Sequence, residues 1–274
     1  MNTQIIQKTV LDMEVELIVP ASTQTANEAI QPLVFLHEGL GSVAMWHSKQ
    51  GYWPQSICES SNRVGLVYSR RGYGASKKIE HARTTNRWDP HYMHQHALEV
   101  LPNLLDELNL IRPILVGHSD GATIALIYAA HHPTCQGVFA MAPHLFVEDI
   151  TIKSIEEAKR AFESGDLKEK LQRFHHHVDD AFWLWCDVWL SQEFKSFDIR
   201  ALVQQITSPV CALQGLDDPY GSDSQIDSLV TQGHLERHFL PHCAHNPHRE
   251  SQERCNALLL DFLERSLIKP RPLT

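Results

Sequence analysis

The sequence predicts an α/β fold, a mostly parallel sheet covered by helices on both faces with one helical insertion. Three observations carry it. Short apolar, β-branched runs alternate along the chain with stretches of helical periodicity. One such run passes directly into a helix through a Gly-rich turn, Gly117-His118-Ser119-Asp120-Gly121. Residues 144–200 carry helical patterns and no convincing strand. With 274 residues, 43% of them hydrophobic, the chain is long enough to bury one large core.

In chain order, residues 10–19 alternate well enough for a strand, and 32–37 form a fully apolar one that ends in the Gly-rich loop Glu38-Gly39-Leu40-Gly41-Ser42. Residues 64–68 are the third strand, followed by Arg71-Gly72-Tyr73-Gly74-Ala75-Ser76. Apolar residues at 97, 98, 101, 104, 105 and 108 predict a helix over about 91–110. Residues 113–116 read as a strand feeding a helix that runs past 122–130, and 137–142, 210–214 and 235–240 as further strands. A helix over 247–267 closes the chain, with a loose surface tail at 269–274. The insertion contains helical stretches at 152–163, 167–177 and 181–190. It reads as a lid over the carboxyl edge of the sheet, where α/β proteins bind ligands. The domain division is therefore 1–143 with 201–274 as core and 144–200 as lid.

A net charge of -9 without any Lys/Arg-rich cluster argues against a nucleic-acid partner, whose phosphates demand concentrated positive charge. A small-molecule substrate is expected. Polar residues are mixed through residues 1–20, which leaves no signal-peptide core and no bilayer span. An intracellular, cytoplasmic protein without a membrane partner is expected. The six cysteines are scattered without a C-x-x-C pair, as suits reduced thiols filling apolar space; no metal site is expected.

The pentapeptide at 117–121 has the G-x-S-x-G pattern at a strand-to-helix junction. Its glycines leave room for a sharp turn that would hold the Ser119 hydroxyl out over a helix N-terminus. A serine needs a base to take its proton and a carboxylate to orient that base. The loop after the 210–214 strand offers Asp217 and Asp218; the loop after the last strand offers His242, His245 and His248.

Through these residues the chain resembles the α/β-hydrolase-fold serine hydrolases. Strand and helix order, the elbow, the Gly-rich loop after residue 37 and the Arg71-Gly72-Tyr73-Gly74-Ala75-Ser76 turn, similar to R-G-x-G-x-S, carry the likeness. The resemblance implies Ser119 as nucleophile, Asp218 as triad carboxylate with Asp217 as the alternative, and His245 as base. It also implies an oxyanion hole from the amides of Asp120 and Gly39, or of Leu40 if the loop is shifted by one. Two departures stand out: Ala244 precedes the histidine where glycine is usual, and Glu38 takes a position usually glycine. Glu38 and Asp120 place two acids beside the reaction centre, so each should face away or be paired. A structural contact between Glu38 and Arg71 is expected, with recognition of a basic substrate group as the rival role.

Three further signals concern the lid and the base. Phe182, Trp185 and Trp189 share a helical stripe that reads as lid-to-core packing, leaving Trp183 and, from the oxyanion loop, Leu40 as pocket residues. His175-His176-His177 reads as a solvated face, because consecutive helical residues cannot converge on one metal. Cys243 reads as a buried small residue. The expected activity is cofactor-free hydrolysis of a carboxylic ester through an acyl-enzyme. Carbon–carbon hydrolysis of a diketone-like acid is the alternative, calling for a pocket arginine that the sequence does not single out. Perhydrolase and thioesterase chemistry belong to the same fold, and a non-catalytic ligand-binding protein is the reading from another class.

Overall fold

The structure, a computed structural model, describes residues 2–21 and 31–266. The expected tail at 269–274 and the last residue of the expected final helix lie outside the described residues. Eight strands form one sheet: β1 Gln4–Val10, β2 Met13–Val19, β3 Leu33–Leu36, β4 Gly65–Tyr68, β5 Ile114–His118, β6 Gly137–Met141, β7 Val210–Gly215 and β8 Leu235–Leu240. Their order is β1-β2-β4-β3-β5-β6-β7-β8. β1 pairs with β2, and β2 with β4, antiparallel. Every other neighbouring pair is parallel.

Burial explains which strands read clearly. β3 to β7 are buried at every position, so they appear as continuous apolar runs. β1 is exposed almost throughout and shows no buried face, which is why the first strand pair was expected as a single strand at 10–19. The chain reverses instead at Leu11 and Asp12, both at positive φ (51° and 65°), a two-residue hairpin turn.

Helix α1, Trp53–Ser61, and α8, Gln252–Ser266, cover one sheet face. The other face carries α2 at 92–107 and α3, Asp120–His131. α1 had no sequence signal of its own. Within α2 a π turn occupies His96–Val100, just before Pro102, which lacks the N–H an α-helical bond would use. Helix α3 is buried from Asp120 to Ala129, consistent with its near-absence of polar residues.

Between β6 and β7 lie helices α4 Asp149–Ser164, α5 Leu167–Leu171 and α6 Val178–Trp189. The expected helix at 167–177 stops early, because the chain turns inward to bury His175. A short helix α7, Pro247–Glu250, precedes α8, splitting the helix expected over 247–267 at Ser251. Because β3 to β8 run parallel, the loops following β3, β5, β6, β7 and β8 all emerge at one sheet edge.

The turn after β5 packs without slack. A Cβ on Gly121 would lie 2.1 Å from the Leu36 carbonyl oxygen, and one on Gly117 would lie 2.4 Å from the Gly121 carbonyl oxygen. Gly121→Ala therefore forces β3 and α3 apart. We expect it to cost about 1–3 kcal/mol in urea denaturation, the usual scale of overpacking; a midpoint equal to wild type would contradict this packing.

Candidate active site

At the junction of β5 and α3, Ser119 adopts φ 52° and ψ -119°, a backbone region that L-residues rarely occupy. Its N–H donates to the Met141 carbonyl at 2.8 Å, tying the turn to β6. As the first residue of α3, Asp120 has an N–H beyond the reach of intrahelical bonding.

The loop after β3 is held through its carbonyls. Arg70, buried, donates from Nη1 to the His37 oxygen (2.8 Å) and from Nη2 to the Glu38 oxygen (2.7 Å). His37 accepts from the Arg70 amide at Nε2, so its proton sits on Nδ1, which donates to the Glu38 oxygen at 2.7 Å. Burial and the Arg70 charge keep His37 neutral, its pKa well below the ordinary range. His175 accepts from the Gly74 amide at Nδ1 and donates from Nε2 to the Leu40 oxygen at 2.9 Å. The expected solvated His175-His176-His177 face is therefore corrected: His176 and His177 are exposed, but His175 is a buried staple between two loops. The amides of Gly39 and Leu40 make no hydrogen bond among the described residues. Trp185 covers Gly39, where a Cβ would meet the indole Nε1 at 2.2 Å.

Glu38 does not contact Arg71, contrary to expectation. Arg71 is half exposed and lies 4.0 Å from Asp12. Glu38 Oε2 instead sits 3.0 Å from His118 Nδ1, and His118 Nε2 sits 2.6 Å from the His245 carbonyl oxygen. Burial alone would raise the Glu38 pKa, but the hydrogen bond and charge of His118, with His248 and Arg249 beyond, hold it far below the carboxylate range.

Asp218 and His245 meet as the loops after β7 and β8 converge. His245 Nδ1 is 2.8 Å from Asp218 Oδ2 and 3.0 Å from Oδ1. Gln214 Nε2 donates to Oδ2 at 2.8 Å and the Tyr220 amide to Oδ1 at 2.8 Å. Burial opposes ionisation of Asp218, but the hydrogen bond and charge of His245, with the Tyr220 amide, outweigh it and leave the pKa lowered. Since Nδ1 donates to the carboxylate, Nε2 is the ring nitrogen with a free lone pair. Asp217 is exposed in the turn, its amide donating to the Cys243 oxygen. Cys243 itself is buried.

Asp120 is held by a hydroxyl. Its Oδ2 accepts from the Tyr92 hydroxyl at 2.5 Å, and that oxygen in turn accepts from Trp189 Nε1 at 2.9 Å. Burial raises the Asp120 pKa, opposed by the Arg70 charge and the Tyr92 hydrogen bond.

A cavity of about 340 Å³ brings Gly39, Leu40, Ser119, Asp120 and His245 onto one surface. Apolar walls come from Met45, Ile155, Leu171, Trp185 and Trp189. Ser119 Oγ makes no hydrogen bond to the imidazole in this arrangement; such contacts commonly tighten only when substrate binds. Trp183 is corrected: it lies beneath the Arg83 guanidinium, 3.7 Å from the ring centre, and against Phe162, away from the cavity. The helix face turned to the sheet edge is both core and cavity wall, so the supposed packing stripe supplies Trp185 and Trp189. Arg249 also lines the cavity. Among the described residues, the cluster of metal-ligating types Cys211, Glu236 and His238 lies on β7 and β8; none of it lines the cavity, and Arg265 holds Glu236. No helix among the described residues is long and apolar enough to cross a membrane.

Sequence patterns assign no site role to Tyr92, His118 or Gln214. Gln214 left a usable signal, a polar side chain inside a wholly apolar strand that must find a buried partner.

The fold that positions this site has counterparts in known proteins. A sequence profile described as alpha/beta hydrolase fold matches residues 31–168. The chain belongs to the α/β-hydrolase fold family. This α/β-hydrolase is 25% identical over 253 residues to serine hydrolase BPHL of Mus musculus, covering 88% of this chain and 82% of the mouse protein. Its structure superimposes on the enol-lactonase of Burkholderia xenovorans with a TM-score of 0.70 at 16% identity, covering 94% of this chain and 100% of that one. For a thermophilic esterase from Thermogutta terrifontis the TM-score is 0.67 at 16% identity, covering 96% and 99%. At such identities the two structures share the fold.

Removing the Tyr92 hydroxyl strips Asp120 of its donor and raises its carboxyl pKa further. The penalty falls on the ionised form, so it is full at neutral pH and shrinks as acid protonates the group. Tyr92→Phe should cost about 2 kcal/mol in urea denaturation near pH 7 and clearly less near pH 4. An equal loss at both pH values would show that Asp120 carries no charge to stabilise.

Proposed function

We propose that this α/β-hydrolase cleaves carboxylic esters of small, largely apolar acids through an acyl-enzyme on Ser119. The observation that carries the reading is the double hydrogen bond from His245 Nδ1 to Asp218, which leaves Nε2 as the free base beside a cavity that Ser119 also lines. Ser119 Oγ attacks the carbonyl carbon while His245 Nε2 takes its proton. The amides of Gly39 and Asp120 receive the oxyanion. Collapse expels the alkoxide, which takes the proton from His245. Water then repeats the sequence, with His245 as base, and releases the acid. Asp218 stays ionised throughout and steadies the imidazolium. No step calls for a cofactor.

The acyl group packs against Leu40, Ile155, Leu171, Trp185 and Trp189, which makes helices α4 to α6 a lid that selects substrate by shape. The names of the structural relatives, an esterase and an enol-lactonase, accord with acyl–oxygen cleavage. A second reading, carbon–carbon cleavage of a diketone-like acid, is favoured by Arg249. Its guanidinium, which donates from Nη2 to the Met45 carbonyl, forms no ion pair among the described residues and places a cation at the cavity wall, where a substrate carboxylate would meet it.

A fluorophosphonate probe should label folded protein at Ser119 and leave Ser119→Ala unlabelled. Hydrolysis of short acyl esters should fall by about 10³-fold or more in Ser119→Ala and Asp218→Asn. Absence of labelling would favour a ligand-binding role without catalysis. Turnover of diketo-acids in preference to esters, weakened by Arg249→Ala, would establish the second reading instead.

A further inference from the structure

We propose that Glu38 and His118 form an ionised pair that positions the loop carrying His245, and that turnover fails at alkaline pH when this pair loses its proton. The proposal rests on His245 acting as the base, although its first test reads the pair directly.

The geometry settles where the protons are. His118 Nε2 lies 2.6 Å from the His245 carbonyl oxygen, which can only accept, so Nε2 carries hydrogen. Nδ1 lies 3.0 Å from a Glu38 carboxyl oxygen, and one further proton occupies that line. Glu38 also faces the Arg249 cation, which favours the carboxylate and leaves the proton on Nδ1. Burial disfavours the imidazolium; the hydrogen bond and charge of Glu38, the His245 carbonyl and the Asp218 charge outweigh it and raise the His118 pKa.

The groups around the ring come from every neighbouring element. Glu38 comes from the loop after β3 and Asp218 from the loop after β7. His245 lies in the loop after β8, its ring centre 5.1 Å away, and His248 on α7 at 5.0 Å. Arg249 follows on α7, and His144 stands at the end of β6. Burial keeps His144 and His248 neutral. The imidazolium therefore sits in the field of two carboxylates, Glu38 at hydrogen-bond distance and Asp218 beyond, and the Glu38 charge shields His245 from it when that ring is protonated during turnover.

The clamped atom matters because it belongs to the backbone of the base itself. One imidazolium joins the oxyanion loop, the nucleophile turn and the histidine loop. Loss of the Nδ1 proton turns a lone pair toward the Glu38 carboxylate, and the loops separate. A raised group keeps its effect below its pKa and loses it as pH climbs through that value. Displacements near 1 Å at such a site cost about 10²-fold in rate.

In ¹⁵N-histidine NMR near pH 7, one ring, identified by its absence in His118→Gln, should carry protons on both nitrogens. In Glu38→Gln that ring should carry one, since a glutamine amide can donate to a bare Nδ1. Ester kcat/KM of wild type should show an acid limb and an alkaline limb of about 10–100-fold, the alkaline one expressed in kcat rather than KM. The alkaline limb should vanish in Glu38→Gln while the acid limb persists. A singly protonated His118 ring in wild type would overturn the proposal, as would an alkaline limb unchanged by Glu38→Gln or one missing from wild type. A doubly protonated ring in a protein without hydrolase activity would leave the pair standing and reject the catalytic reading.

Discussion

The carbonyl oxygens of His37, Glu38 and Leu40 are each held by a buried donor, and the shape of the cavity follows from that restraint. Arg70 takes the first two and His175 the third. With the carbonyls committed outward, the amides of Gly39 and Leu40 are left without partners among the described residues. In the proposed mechanism, a loop so constrained needs no reorganisation to receive a negatively charged oxygen. Trp185 above Gly39 limits movement from the other side.

Charge around the serine is balanced by pairing rather than by exposure. Glu38 faces His118, Asp218 faces His245, and Asp120 leans on the Tyr92 hydroxyl within the field of Arg70. Leaving one member of such a set unmatched costs far more than the matched set contributes. The two acids beside the loop after β3 are therefore structural: one ties that loop to the elbow, and the other anchors α3 to Tyr92 and Trp189.

Much of the fold was legible because β3 to β7 are buried on both faces and announce themselves as apolar runs. β1 was not, since an exposed edge strand carries no alternation. The elbow was legible because its glycines meet backbone at contact distance. The partner of Glu38 was hidden for a different reason. Eighty residues separate Glu38 from His118, and a guess by loop proximity favoured an arginine that turns out to face solvent. The Trp183 assignment shows the limit of periodicity, which tells which residues of α6 share a face but not whether that face meets packed side chains or a cavity. His175 fell to the same limit, because a run of three histidines looks solvated until a turn buries one of them.

All six cysteines are buried as free thiols. They stand on α1 (Cys58), beyond α3 (Cys135), on α6 (Cys186), on β7 (Cys211), after β8 (Cys243) and on α8 (Cys255), and burial pushes each thiol pKa upward. A thiol in this state reacts with an alkylating reagent only when its own element opens. The molecule thus carries a built-in set of opening clocks spread over both helical layers, the sheet and the helices between β6 and β7, and the order in which they are alkylated would map the hierarchy of local unfolding without a single introduced label.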